Sequence, residues 1–324
     1  MNALLETSGE RLQIISSIPW VDELVASAAP GELRHGERAG VGATVNVESK
    51  SQAFHSTAWE PLTRGAWRQR DEVVIEDVCS SGFDLHLCCT SGEALFTFRW
   101  RPHLRGRAAE LLLKSRFTLL ARAVLLQYPA MWLASNRGRV PLHASACTVG
   151  ELNPLLVGPA GVGKSTLMAQ ELASGGRAIS DNLCVSDGIT AWGVVEPMRV
   201  ETSGRPSMPH GRAEVPLPGR VPALAPNLLV ALRRGHDEVA YVRSAGTAAV
   251  ARTLITGTYM AGELRRYWAF AATLTAGTEL GPSHPPIEAI ARQLASRLPA
   301  VEIVLPRQPG VRLAELLSQM EAIA

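Results

Sequence analysis

The sequence predicts an α/β chain in two parts: a smaller β-rich module ending in a long helix over residues 1–138, then an α/β domain over residues 139–324. Three observations carry that prediction. Short apolar runs, Val41–Val47, Glu72–Glu76, Phe83–Cys89 and Ala94–Trp100, are separated by turn dipeptides at Ser81-Gly82 and Ser91-Gly92. A helical apolar repeat covers about 107–133. From Val140 onward, apolar strands alternate with amphipathic helices around one glycine-rich turn at 158–163.

In chain order, residues 1–40 show mixed patterning, with turn signals at Pro30-Gly31 and Ala39-Gly40. In the long helix, Leu113, Phe117, Leu120 and Val124 recur on one face, and Arg116 and Arg122 are expected to face outward. Pro129 ends or kinks this helix, and Asn136-Arg137-Gly138 breaks it. In the second part, Val140–Val149 and Leu152–Val157 read as strands. Lys164–Ser174 reads as a helix capped by Gly175-Gly176, and Arg177–Ser180, Leu183–Val185 and Thr190–Val195 as strands. The segment 203–227 holds six prolines and three arginines, Arg205, Arg212 and Arg220, and reads as an irregular loop. Leu228–Leu232 resumes as a strand. Ala245–Ala272 and Pro286–Leu298 read as helical, Val301–Leu305 as a strand and Val311–Ile323 as a last helix.

Composition narrows the function classes. With 46% apolar residues among 324, the chain can bury a real core. A net charge of +2, from 32 basic and 30 acidic residues, asks for no nucleic-acid partner. Only Lys50, Lys114 and Lys164 are lysines. The five cysteines, Cys79, Cys88, Cys89, Cys147 and Cys184, include no C-x-x-C pair and read as reduced thiols of a cytoplasmic protein. The spacing of Cys79, His86, Cys88 and Cys89 fits no zinc pattern. The N-terminus lacks the basic start and apolar block of a signal peptide. The most apolar stretch, Phe117–Leu126, is too short to span a bilayer and contains Arg122, so no membrane partner is expected.

The glycine-rich turn is the sharpest signal. Gly158, Pro159, Ala160, Gly161, Val162, Gly163, Lys164, Ser165 and Thr166 fit G-x-x-x-x-G-K-S/T, a phosphate-binding loop. The glycines let backbone N–H groups point inward around a phosphate, and the helix opening at Lys164 adds free amides and a positive dipole end. Lys164 is expected on the β- and γ-phosphates and the Ser165 hydroxyl on Mg²⁺. The apolar Leu155-Leu156-Val157 before the loop and Leu167, Met168 and Leu172 after it supply the strand and helix the motif requires. The ligands implied are ATP and Mg²⁺.

Asp181 lies 17 residues after Lys164, one helix and one strand on, where an α/β sheet places its ligand site. Two roles are open to it: accepting the proton of an attacking hydroxyl, or holding Mg²⁺. His143, on the strand entering the domain, could stabilise transferring charge or tune Asp181.

Taken together, PLHASA (141–146), LLVGPAGVGKSTL (155–167) and SGGRAISDNLCV (174–185) resemble the HPr kinase/phosphorylase family. In that family a strand histidine, a phosphate loop and a pair of aspartates after the loop's helix make the catalytic centre. The resemblance implies an HPr kinase-like P-loop domain over 139–324, catalytic weight on His143, Lys164 and Asp181, and phosphorylation of a seryl hydroxyl in a peptide or protein. Asn182 stands where the family has its second aspartate, which throws metal or base duty onto Asp181. Thr166 stands where the family carries glutamate, and its Glu-x-Arg-Gly-x-Gly signature is missing. In place of that signature are Glu196-Pro-Met-Arg199 and His210-Gly-Arg212. The chain looks more like the HPr kinase-related proteins associated with ribosomally made peptides such as lasso peptides.

Glu196, Arg199 and Arg212 are further candidates for substrate or phosphate contacts, and Glu196 for support of Mg²⁺ now that Asn182 is neutral. Two other functions compete: a small-molecule hydroxyl kinase, and a non-catalytic nucleotide-binding regulatory protein, with homo-oligomers open in each case.

Overall fold

A computed structural model of the chain describes residues 1–35, 40–90, 92–201, 212–306 and 310–322. Ala39 and Ser91, parts of two expected turns, lie outside the described residues, as do Arg205 and His210. The chain divides into two compact units. The first comprises Met1–Gly138, Thr202–Ala213 and Arg266–His284; the second comprises Arg139–Glu201, Glu214–Arg265 and Pro285–Ala324.

The first unit is built on one eight-stranded sheet. Its order is Asn2–Thr7, Glu10–Ser16, Ala43–Glu48, Glu93–Trp100, Phe83–Thr90, Glu72–Ile75, Ala66–Gln69 and Glu60–Thr63. The mixed reading of residues 1–40 is thereby corrected. Residues 2–16 form a hairpin whose two-residue turn, Ser8-Gly9, has φ of +58° and +69°, the backbone that joins twisted antiparallel strands tightly. A helix, Pro19–Ala28, follows it.

The long helix is also corrected in detail. It breaks at Leu113, then runs as Lys114–Arg122, a π-helical turn Ala123–Gln127 and Tyr128–Asn136. The widened turn lies directly before Pro129, whose ring has no N–H to give the ordinary ladder and clashes with the preceding turn. Arg122, expected outside, is only 2% exposed. The stretch Lys114–Asn136 is long and apolar enough to cross a membrane, unlike the shorter run Phe117–Leu126. It is mostly buried, with Trp132 edge-on to Phe96 and Tyr128 against Tyr267, so it forms the core of its unit.

Among the described residues, Met198–Glu201 pairs with Arg212–Val215 in a two-stranded sheet, and the second unit holds two larger sheets. One has five strands in the order Ala144–Ala146, Pro154–Val157, Leu228–Arg234, Ala300–Leu305 and Tyr241–Ser244, the middle three parallel. The other has four antiparallel strands in the order Ala223–Leu224, Ala191–Gly193, Cys184–Ser186 and Val140–Leu142. The single strand expected over Val140–Val149 is therefore two. The chain leaves one sheet at Leu142 and enters the other at Ala144, and His143 is the residue between.

The helix Lys164–Ala173 buries Leu167, Met168 and Leu172 against Leu156, Val230, Ile303, Leu313 and Leu316. Glu171 on that helix is buried and accepts from the Ala314 amide at 3.1 Å, in the first turn of the helix Leu313–Ser318, where a carboxylate satisfies an orphan N–H. The helical stretch expected over Ala245–Ala272 is two helices, Thr247–Met260 and Gly262–Thr278, parted at Ala261. The segment expected to be loop carries two short strands, Arg212–Val215 and Ala223–Leu224.

Candidate phosphate-binding site

The strand Pro154–Val157 ends at Gly158, and the helix begins at Lys164. Between them Gly158, Gly161 and Gly163 have φ of +156°, +76° and +120°, values that L side chains rarely adopt. A Cβ at Gly158 would sit 2.9 Å from the Leu232 carbonyl oxygen on the neighbouring strand, so only glycine fits there. Pro159, Ala160 and Gly161 are exposed, while Val162 turns its side chain into the core.

Lys164 is 4% exposed, and its Nζ donates to the Gly158 and Pro159 carbonyl oxygens at 2.9 and 3.2 Å. The ammonium is thus drawn back across its own loop. Burial pulls its pKa down to about 8, against the favourable fields of the Asp181 and Glu263 carboxylates. A buried ammonium that resists its charge gains most from an anion placed beside it. Ser165 is half-buried in the first helical turn and Thr166 is exposed.

Asp181 is held more closely than its reading as the end of a sheet strand suggested. Within 177–180 the pairing is by isolated bridges of Ala178 instead, to Cys147 on one side and Arg220 on the other. Ser145 Oγ donates to the Ser180 carbonyl at 2.6 Å, and Ile179 N donates to Ala146 O at 3.0 Å. Gly193 makes this run possible, because a Cβ there would lie 1.9 Å from the Ile179 carbonyl oxygen. Asp181 is 1% exposed, and its Oδ2 accepts from the Arg199 backbone N–H at 3.1 Å.

Around these residues the second unit gathers a polar network. His143 is 1% exposed, and its backbone N–H donates to Thr258 Oγ1 at 3.1 Å. Its Nε2 lies 2.9 Å from Asn182 Oδ1, and Asn182 Nδ2 donates to Glu263 Oε1 at 3.0 Å. Arg199 Nη2 donates to the same Glu263 oxygen at 2.9 Å and lies 3.6 Å from Glu196 Oε2. Glu196 Oε1 accepts from the Leu183 N–H at 3.1 Å.

The charges follow from these surroundings. Burial, then the Lys164 ammonium, push His143 down to about 4, against Glu263 and the Asn182 hydrogen bond, so its imidazole is neutral at pH 7. Burial opposes the Glu263 carboxylate, but Arg199 and its hydrogen bonds win and hold its pKa below the usual value. Burial raises Glu196 to about 8 against the pull of Arg199. Glu196 is thus a carboxyl whose burial favours its neutral form, which weighs against the expectation of it as an anionic support for Mg²⁺.

The structure thus brings His143, Lys164, Asp181, Asn182, Glu196 and Arg199 into one unit, most of them linked by hydrogen bonds. Arg212 lies in the segment Thr202–Ala213, which groups with the other unit. Glu263 and Thr258 were missed by sequence reasoning. Among the described residues, no three His, Cys, Asp or Glu side chains gather to hold a metal unaided. A magnesium ion arriving on a nucleotide needs less from the protein, and the Ser165 hydroxyl and Asp181 carboxylate are the hard oxygen donors that suit it. The five cysteines are free thiols, and His86 Nε2 pairs with Glu72 at 2.6 Å.

No family model matches the chain, and no curated protein matches it. Among solved structures it is similar to the HPr(Ser) kinase/phosphatase from Coxiella burnetii, at 14% identity, covering 56% of this chain and 88% of that one, with a TM-score of 0.29.

Proposed function

We propose that the chain is an ATP-dependent phosphotransferase that moves the γ-phosphoryl group to a hydroxyl, with a seryl hydroxyl of a peptide or protein as the acceptor class. The observation that carries this reading is the buried Lys164 ammonium folded onto the carbonyls of a loop with three left-handed glycines, in the field of a buried Asp181. Backbone amides of 160–165 would cradle the β-phosphate, and Lys164 would leave its carbonyl partners for the β- and γ-phosphate oxygens. Mg²⁺, held through Ser165, would supply charge neutralisation on the phosphates, with the Asp181 carboxylate left uncoordinated for proton transfer. The acceptor oxygen attacks the γ-phosphorus as the bond to the β-bridging oxygen breaks. ADP departs with that electron pair, and the acceptor's proton passes to the Asp181 carboxylate. His143, uncharged, is available to accept one hydrogen bond beside the transferring group without repelling Lys164. The acceptor class follows the resemblance of three segments to the HPr kinase family. A role in tailoring a ribosomally made peptide is the narrower form of the same proposal.

The test is transfer of labelled phosphate from ATP to seryl peptides, to small hydroxyl metabolites and to water. Lys164→Ala should lower transfer at least about 100-fold and weaken ATP binding, and Asp181→Asn should lower kcat about as far while sparing ATP binding. An Asp181→Asn enzyme of full activity would remove that carboxylate from the mechanism. ATP binding without any transfer would favour the regulatory reading, for which the neutral Asn182 is the specific observation.

A further inference from the structure

Asn182 stands between two groups of opposite hydrogen-bonding sense. Glu263 is a carboxylate, which accepts only, so the Asn182 NH₂ faces it and the amide oxygen faces His143. That leaves one form for a neutral imidazole: the hydrogen on Nε2 and the lone pair on Nδ1. Nδ1 is buried and has no hydrogen-bond partner among the described residues. Glu263 is fixed in turn by Arg199 at 2.9 Å and sits in the first turn of the helix Gly262–Thr278, where the dipole favours an anion. Aspartate at 182 would set two carboxylates about 3 Å apart, which one of them could relieve only by taking a proton or swinging away.

We propose that Glu263 is a positioning residue for the phosphoryl-transfer site: through Asn182 it fixes the tautomer and orientation of His143, leaving Nδ1 as the ring's free acceptor. Its catalytic consequence rests on the phosphotransferase reading, whereas the tautomer does not. Asn182 is then no weakened acid but the adaptor between an anion and an imidazole, since its amide can donate to one and accept from the other.

Two measurements on the full-length chain test this separately. In ¹⁵N-histidine NMR, with the His143 resonances identified by their loss in His143→Gln, the wild type should show the Nε2–H form, and Glu263→Ala should lose that preference. An Nδ1–H wild type, or a tautomer unmoved in Glu263→Ala, would overturn the proposal. In kinetics, Asn182→Asp should lower kcat about 10-fold or more with KM for ATP within about two-fold. The exchange Asn182→Asp/Glu263→Gln, which swaps donor and acceptor, should recover to within about three-fold of wild type. A double variant no better than Asn182→Asp would also overturn it. A wild type without transferase activity would sink the phosphotransferase reading alone and leave the tautomer to decide this one.

Discussion

Lys164 and His143 are basic groups that burial discourages from holding a proton, and each leaves a separate mark on pH dependence. The folded pKa of Lys164 is near 8, below the ordinary 10.5. Between those values the unfolded chain binds more protons, so stability rises with pH there, and the cost of the buried charge is present in full below pH 8. A triphosphate beside Nζ reverses the balance. ATP binding should therefore take up a proton at pH 8.5 and almost none from this group at pH 6.5, read by calorimetry in two buffers of different ionisation heat. Equal heats in both buffers at pH 8.5 would show that Lys164 is already charged. His143, near 4 against an ordinary 6.5, makes the chain lose stability as pH falls through that window, because the unfolded imidazole accepts a proton the folded one refuses. His143→Gln keeps a donor for Asn182 and should flatten that loss by about 1–2 kcal/mol between pH 7 and 5 in urea titrations.

At the scale of elements, the position of Asp181 depends on a main-chain crossing. Gly193 lets its strand pass against the Ile179 carbonyl, and Ser145 and Ala146 fasten the other side. Gly193→Ala adds one methyl where the nearest atom is backbone, so the run 177–181 must move. We expect a loss of about 1–3 kcal/mol in stability and a fall in kcat larger than the fall in ATP affinity. An alanine variant of unchanged kcat would show that the crossing does not place the carboxylate. The same scale shows what was legible in the sequence. The loop 158–166 was readable because its demands fall on consecutive residues. The strands Ala43–Glu48, Glu72–Ile75, Phe83–Thr90 and Glu93–Trp100 were readable as apolar runs between turns, whereas Glu60–Thr63 and Ala66–Gln69, mostly polar and partly exposed, were not. Glu263 was not, since it meets Asn182 from 81 positions away and looks like any acidic residue in a first helical turn. Arg122 was misplaced because from Ala121 onward the helical stretch is buried on all sides and keeps no outward face. The hairpin at Ser8-Gly9 had a turn dipeptide that could have revealed it.

For the whole molecule, the two units give ligand binding an address. The loop and the network around His143 lie in one of them. Energy from nucleotide binding stabilises what holds the site, by about 3 kcal/mol at a hundred times Kd. In a calorimetric scan, ATP with Mg²⁺ should raise the melting of that unit by roughly 5–10 °C. Lys164→Ala should abolish most of the shift at the same ligand concentration. A scan that ATP leaves unmoved at millimolar concentration would count against the loop as a nucleotide site.

The sheet change at His143 carries a last consequence, for anyone who grafts or shuffles this protein. Three residues before it are locked in register with Cys184–Ser186, and three after it with Leu155–Val157. A one-residue insertion or deletion anywhere in 140–146 would turn a whole triplet over, taking the imidazole out of line with its amide. Chimaeras joined within that heptad should fail, whereas those that carry it intact, together with both of its pairing partners, keep the ring in place.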